Sequence, residues 1–518
     1  MMRKVLNLIM ILGLFAALST SSFGMVASMD GGVVGDPTMD ASTYEYQEVL
    51  FISGEPIELS GTVKVPTIPT DKDTYKATYE YELYNTAKNT TLERSVSYEV
   101  TLEKNTVLNQ TVSKTEITSV DEEIIVDGVE YTLGGYIFDE SALIDNTPAV
   151  DYYSGSIYYK RTYYKTGDAK TNEGKVVVEA TSDTVIGFNH QWGGAETQIM
   201  DYKVTYTPAV GADAGDAKWQ GFATARMASN ERVGFEYIGN DPQNISFRGS
   251  FVKKKNQENI LQYEYDMPLM TNGALDTSGR NDGELNLRRD VVLDRKNLVT
   301  PKIRDIGGHW AEDSIFLLSS LNIFKEQSNY FNPDLAITRA DFAVAMANAI
   351  EMVEPLTQTE RVRLYRATAE HPYYDYDPTV PMEESELDRM LDTYNHVKFL
   401  KDSGVLLGVG DTNFFYAETP IKRSEAIQMM VRGLGLQDLA PAPPYKTHYI
   451  DDAAIPNWAK DSIYMANEVG LVTGYSDGTI RPSNFVSRGE AAVLIEAFIN
   501  HIKDDITYDY REKIINRD

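Results

Sequence analysis

The segment YIDDAAIPNWAKDSIYMANEVGLVTGYSDGTIRPSNFVSRGEAAVLIEAFI, residues 449–499, decides how the second half of the chain is built. It reads as an apolar helix, a glycine-bearing turn, a proline stretch, and an arginine that opens a second helix. Ser487 and Glu490 have the hydroxyl-x-x-acid form of a capping box, so a helix starts at Arg488. One such helix pair has no partner for its apolar face, which points to further copies.

Two more segments have the same order of parts. Residues 305–350 read DIGGHWAEDSIFLLSSLNIFKEQSNYFNPDLAITRADFAVAMANAI, and residues 394–434 read YNHVKFLKDSGVLLGVGDTNFFYAETPIKRSEAIQMMVRGL. In the first, Phe342, Met346, Ala349, Ile350 and Val353 fall on one helical stripe. The arginine anchors are Arg339, Arg423 and Arg488; Trp310 precedes Arg339 by 29 residues and Trp458 precedes Arg488 by 30. The middle copy departs from this pattern. Lys422 replaces the hydroxyl cap, and aligning Gly404 with Gly470 puts Asp392 at the tryptophan position, two residues before Tyr394. Residues 354–387 are an insertion that lengthens the Arg339–Arg423 spacing to 84 residues, against 65 for Arg423–Arg488.

The Asp, Trp-Ala, GLVTGYSDGTIRP and Thr-Arg-Ala-Glu elements resemble the S-layer homology domain family. The last element stands here as Thr338-Arg339-Ala340-Asp341, Lys422-Arg423-Ser424-Glu425 and Ser487-Arg488-Gly489-Glu490. The resemblance implies three tandem repeats, at 303–353, 388–436 (degenerate) and 447–503, in a mainly α module of pseudo-threefold arrangement. It implies that grooves between repeats bind secondary cell-wall polysaccharide, often pyruvylated, through the motif arginines. The polysaccharide-binding set is then Arg339, Arg423, Arg488, Trp310, Trp458 and Asp477. The residues themselves support part of this. An arginine in a first helical turn opposes the dipole, and unpaired backbone N–H groups beside it favour a carboxylate or phosphate. The alternative is a surface arginine paired with a nearby carboxylate. Trp310 and Trp458 read first as packing residues at helix starts, with stacking on sugars as the alternative. Asp477 reads as a turn residue between Gly474 and Gly478 that also suits sugar hydroxyls.

The linker around Pro301 separates this module from an all-β region, residues 41–300, in which Thr, Val, Tyr and Ile alternate with polar residues. We expect one or two sandwich-like domains with a split near 148–155, and so a multidomain chain of all-β and mainly α parts. Much of the tyrosine, 33 residues in all, lies here and suits a pleated surface; a sugar-stacking face is the alternative. Residues 1–24 carry Arg3 and Lys4 before an apolar run, the form of a secretory signal peptide, and residues 504–518 form a polar tail. The expected location is the cell wall or surface, with no membrane span after signal cleavage.

Composition narrows the function classes. A net charge of −29 disfavours nucleic acid as a partner. The absence of cysteine removes disulfides, thiolate metal sites and cysteine catalysis. Gly474–Gly478 matches G-x-S-x-G, yet a helix rather than a strand precedes it. Asp375, Asp377, Thr379 and Glu386 fit part of a calcium loop in which Val380 replaces the required glycine. Asp139, Glu140 and Asp145 read as a solvated loop, and no other carboxylate pair stands out. The expectation is a surface protein, not an enzyme, without cofactor or metal, anchored by the repeats and displaying the β region as an S-layer component with possible self-association. The alternative is a wall-anchored adhesin or carbohydrate-binding protein and, ranked behind it for want of catalytic motifs, a wall-anchored glycan-active enzyme.

Overall fold

The structure, a computed structural model, describes residues 31–40, 42–69, 72–211, 217–239, 249–271, 274–325, 328–351, 353, 384–407 and 415–505. The signal segment, the calcium-loop match apart from Glu386, and nearly all of the insertion and tail lie outside the described residues.

Thirteen strands follow one another as an antiparallel meander: β1 (Gly32–Pro37), β2 (Thr43–Leu50), β3 (Ile57–Lys64), β4 (Thr74–Asn85), β5 (Thr90–Asn105), β6 (Gln110–Val126), β7 (Val129–Asn146), β8 (Asp151–Lys165), β9 (Gly174–His190), β10 (Gly193–Pro208), β11 (Trp219–Ile238), β12 (Ser250–Thr271) and β13 (Ala274–Asn297). Each strand pairs with its sequence neighbours, so a single sheet replaces the expected sandwich. The sheet curls until it is nearly barrel-shaped. Asn259 and Tyr263 of β12 donate to the carbonyls of Val34 and Gly31, which brings β1 back against the far end of the sheet. The 148–155 region is no domain boundary, because β7 and β8 pair from Asn146↔Asp151 onward across a tight turn. Likewise Asp139, Glu140 and Asp145 lie within β7, not in a loop.

The alternation seen in sequence gives the sheet one buried face, which the curl encloses. On β4, Ala77, Tyr79, Tyr81 and Leu83 are buried while Lys76, Thr78, Glu80 and Glu82 are exposed. Tyr46, Tyr79, Tyr81, Tyr98 and Tyr263 fill the enclosed space, and their rings meet edge-on or tilted, as in Tyr46–Tyr81 at 5.2 Å. Within this core Arg94 donates to Glu48 at 3.0 and 3.1 Å and also pairs with Glu122. Tyr163 donates to Glu122 at 2.6 Å. Two carboxylates thus share one deeply buried guanidinium, with Arg161 3.9 Å from Glu122. Outward-facing charges such as Lys76, Glu82, Glu93 and Glu123 give this sheet a water-facing exterior, unlike the apolar belt of a membrane barrel.

Among the described residues the second half holds six α-helices: α1 (Glu312–Ser320), α2 (Arg339–Ile350), α3 (Glu384–Asp402), α4 (Arg423–Gly433), α5 (Asn457–Glu468) and α6 (Arg488–Asn500). They pack head to tail, α2 on α3, α4 on α5 and α6 on α1. Helices α2, α4 and α6 meet centrally, where Gly433 faces Met346, Ile350 and Phe498; a Cβ there would sit 2.8 Å from Met346 Cε. Helix α2 is buried on nearly all sides rather than along one stripe, because the sheet covers it as well. Gln191 and Trp192, at the β9–β10 turn, donate to the carbonyls of Asn348 and Ala349 that end α2. The Ala149 N–H, at the β7–β8 turn, donates to Gly433 O at the end of α4. Helix C-terminal carbonyls lack intrahelical partners, so these turns act as their caps. Among the described residues no helix is long and apolar enough to cross a membrane.

Candidate functional site: the seams of the helical ring

The segments that precede α2, α4 and α6 meet in a closed cycle. Ile337 N donates to Val486 O at 2.9 Å, Val486 N to Ile421 O at 3.0 Å, and Ile421 N to Ile337 O at 3.0 Å. The helix starts continue the cycle. The N–H groups of Arg339 and Ala340 donate to Thr419 and Ala417, those of Arg423 and Ser424 to Asn484 and Pro482, and those of Arg488 and Gly489 to Leu335 and Pro333. Thr338 and Ser487 accept from the third residue of their helices at 3.0 and 3.1 Å, while Lys422 supplies no side-chain cap. The expected unpaired N–H groups beside the arginines are therefore absent: each helix start is sealed by a neighbouring carbonyl, since a buried orphan donor is costly.

The three arginines point along the seams. Arg339 donates from Nε to Phe415 O at 2.9 Å, pairs with Glu425 at 2.7 Å, and stacks over Phe415. Arg488 repeats this on Phe331, 2.7 Å from its carbonyl, with Asp341 at 3.1 Å. In both, the motif arginine of one segment is neutralised by the motif acid of the next.

The third seam differs. Ile480 occupies the place of Phe331 and Phe415, so Arg423 stacks instead on Tyr475, 4.9 Å from the ring centre. The Tyr475 hydroxyl donates to Glu490 at 2.6 Å and so engages the acid that would complete the pattern. Arg423 Nε is buried with no hydrogen-bond partner. Arg481 approaches the same ring at 4.1 Å, at a φ of 53° shared closely by Asn332 and Tyr416 at the matching positions. It is tied to Asp477 at 2.8 Å. Hydrogen bonds from Thr479 and Arg481 hold the Asp477 carboxyl down to about 2, so Asp477 is a fixed anion that braces the turn. Gly474 makes the turn possible, with a φ of 78° and Tyr449 so close that a Cβ would lie 2.6 Å from its ring. Burial, then the bond to Glu490, pushes the Tyr475 hydroxyl up, keeping it a proton donor.

Trp310 and Trp458 are 65% and 51% exposed, which overturns their reading as packing residues. The core contact is made by the next residues, Ala311 and Ala459. The Trp458 carbonyl accepts from Gln428 of α4, so Trp458 lies where α5 meets α4, the helix that Arg423 opens. Sequence reasoning did not single out Tyr475, Arg481, Asp305 or Asp451 as site residues. Asp305 accepts from the N–H groups of Phe331 and Asn332, and Asp451 from those of Ile480 and Arg481. Their shared role was signalled by the aspartate that opens both outer segments.

Two of the three segments of this ring match a known domain. The S-layer homology domain matches residues 302–343 and 450–492, leaving the middle segment unmatched. The chain is 24% identical over 124 residues to an endoglucanase of Bacillus sp. (strain KSM-635), covering 24% of this chain and 12% of that protein. It is 26% identical over 171 residues to cell surface glycoprotein 1 of Acetivibrio thermocellus, covering 32% of this chain and 6% of that protein. It is 30% identical over 99 residues to the surface layer protein of Brevibacillus choshinensis, covering 19% of this chain and 9% of that protein. The chain thus spans a small fraction of each relative's length. These matches identify S-layer homology sequence in the helical half and associate the chain with the cell surface.

Proposed function

We propose that this is an exported protein held noncovalently to the bacterial cell wall by three S-layer homology repeats, the unmatched middle segment being the second. The cyclic hydrogen bonds among residues 337, 421 and 486 support a pseudo-threefold module. The partner is an anionic, pyruvylated secondary cell-wall polysaccharide. The seam between the second and third repeats takes it, and the observation that carries this reading is Arg423: buried, stacked on Tyr475, and lacking the carboxylate that neutralises Arg339 and Arg488. A ligand carboxylate would fill the place of that missing acid. Trp458 offers the adjoining sugar platform. Arg339 and Arg488 hold the ring together. The sheet is the displayed part, an S-layer or structural component, and the chain binds and displays rather than catalyses.

The test is cosedimentation of the full chain with cell-wall sacculi, before and after acid removal of noncovalently anchoring polysaccharide. Binding is expected to vanish on stripping and in Arg423→Met. Binding that survives both, or that is lost only in Arg339→Met, would overturn the assignment.

A further inference from the structure

A second site lies on the sheet, away from the ring. A cavity of about 650 Å³ opens on the outer face of β2–β5, bordered by Thr38 after β1 and by Arg289 of β13. Its floor is two rows of side chains in register across four strands. One row is Gln47–Ser60–Tyr84–Thr91 and the other is Glu45–Thr62–Glu82–Glu93. Neighbouring strands lie about 4.8 Å apart, so each step along a row approximates one sugar ring.

Three features of this floor lack a structural reason. Glu82 stands directly opposite Glu93, a like-charge pair that weakens a sheet. Among the described residues none of Glu45, Glu82 and Glu93 makes an ion pair. Arg289 reaches into the cavity wall with its Nε buried and without a hydrogen-bond partner. Beside them Tyr84 is 59% exposed, and Gln47 donates to Ser60 at 3.0 Å, fixing its amide.

We propose that this cavity binds a short amino-sugar oligosaccharide. Carboxylates accept from sugar hydroxyls and ammonium groups, the Arg289 guanidinium donates to ring or hydroxyl oxygens, and the Tyr84 ring takes the apolar face of a pyranose. The ammonium groups settle between Glu82 and Glu93 and relieve their repulsion. Three carboxylates against one guanidinium exclude an anionic polymer, so this site and the Arg423 seam select opposite charges. The proposal does not depend on the anchoring reading.

Calorimetric titration of the full chain tests it, using a short chitosan oligosaccharide, its fully N-acetylated counterpart and an oligogalacturonate. The chitosan oligosaccharide is expected to bind, the acetylated one more weakly, and the oligogalacturonate not at the sheet. Glu82→Gln/Glu93→Gln and Tyr84→Ala should each weaken chitosan binding about tenfold. Arg423→Met should leave it unchanged, as should Glu99→Gln/Glu116→Gln, which alters another directly opposed pair of glutamates outside the cavity. Absence of chitosan binding, or equal loss in the two double variants, would overturn the proposal and reduce the effect to general attraction by an acidic protein.

Discussion

Two seams of the helical ring close on themselves and the third does not. In the closed seams an arginine stacks on an aromatic ring and forms an ion pair with a carboxylate from the next segment. In the open seam Ile480 has displaced the ring, Tyr475 has claimed the carboxylate, and Arg423 keeps its charge. The same motif residue is therefore a rivet in two places and, in the anchoring role we propose, a receptor in one. A motif fixes where a side chain starts; its neighbours across the seam decide what it does.

Removing a rivet should give the largest effect. Arg339→Met leaves Glu425 unpaired beside buried surface, and we expect a loss of about 3 kcal/mol in chemical denaturation. Arg423→Met should alter stability by less than about 1 kcal/mol, since no protein carboxylate loses its partner. Equal losses from the two would erase the distinction between seams.

The sheet offers a parallel case. Burial, opposed by a bond from Thr115 and reinforced by nearby Glu196, raises Glu140 to about 7, and its Oε2 is buried without a partner. A raised carboxyl pKa costs nothing while the group is protonated in both states. The penalty therefore grows between the unfolded value, 4.5, and about 7, and is complete above that. Glu140→Gln should gain about 3 kcal/mol at pH 8 and little at pH 4, read from paired denaturation curves. A pH-independent gain would show that packing, not charge, governs the site.

Smaller changes sharpen the contrast between seams. Tyr475→Phe frees Glu490 to pair with Arg423, converting the open seam into a closed one. Sacculus binding should fall about tenfold while the melting temperature holds or rises. Undiminished binding would separate the Arg423 charge from recognition. Trp458→Ala should change stability by no more than about 0.5 kcal/mol, because the indole is half exposed, while still reducing binding. A larger stability loss would restore it to a packing role.

The strands, the helix starts at Arg339, Arg423 and Arg488, and the linker near Pro301 were legible from periodicity and capping residues. The closure of the sheet was not. Alternation on β4 records one buried face, and a curled sheet and a sandwich write the same pattern. The expected split near 148–155 falls at the turn after Asn146, which instead joins two paired strands and packs against α4. In the site, the arginines were visible but their partners were not. Glu425 lies two residues from Arg423 in sequence and belongs to Arg339, a pairing created only when the ring closes. The degenerate cap at Lys422 marked the middle copy as the one that departs from the pattern. Its arginine is the least neutralised, because the deciding substitutions, Ile480 and Tyr475, lie in the next copy.

The turns that cap α2 and α4 carry a mechanical meaning. Gln191, Trp192 and the Ala149 N–H grip the ends of the ring's central helices through several bonds side by side. A pull on the sheet loads these bonds together instead of straightening the Pro301 linker first. The sheet cannot swivel on that linker like a flag on a rope; it stands like a mast stepped into the ring, its heading set by the ring beneath it.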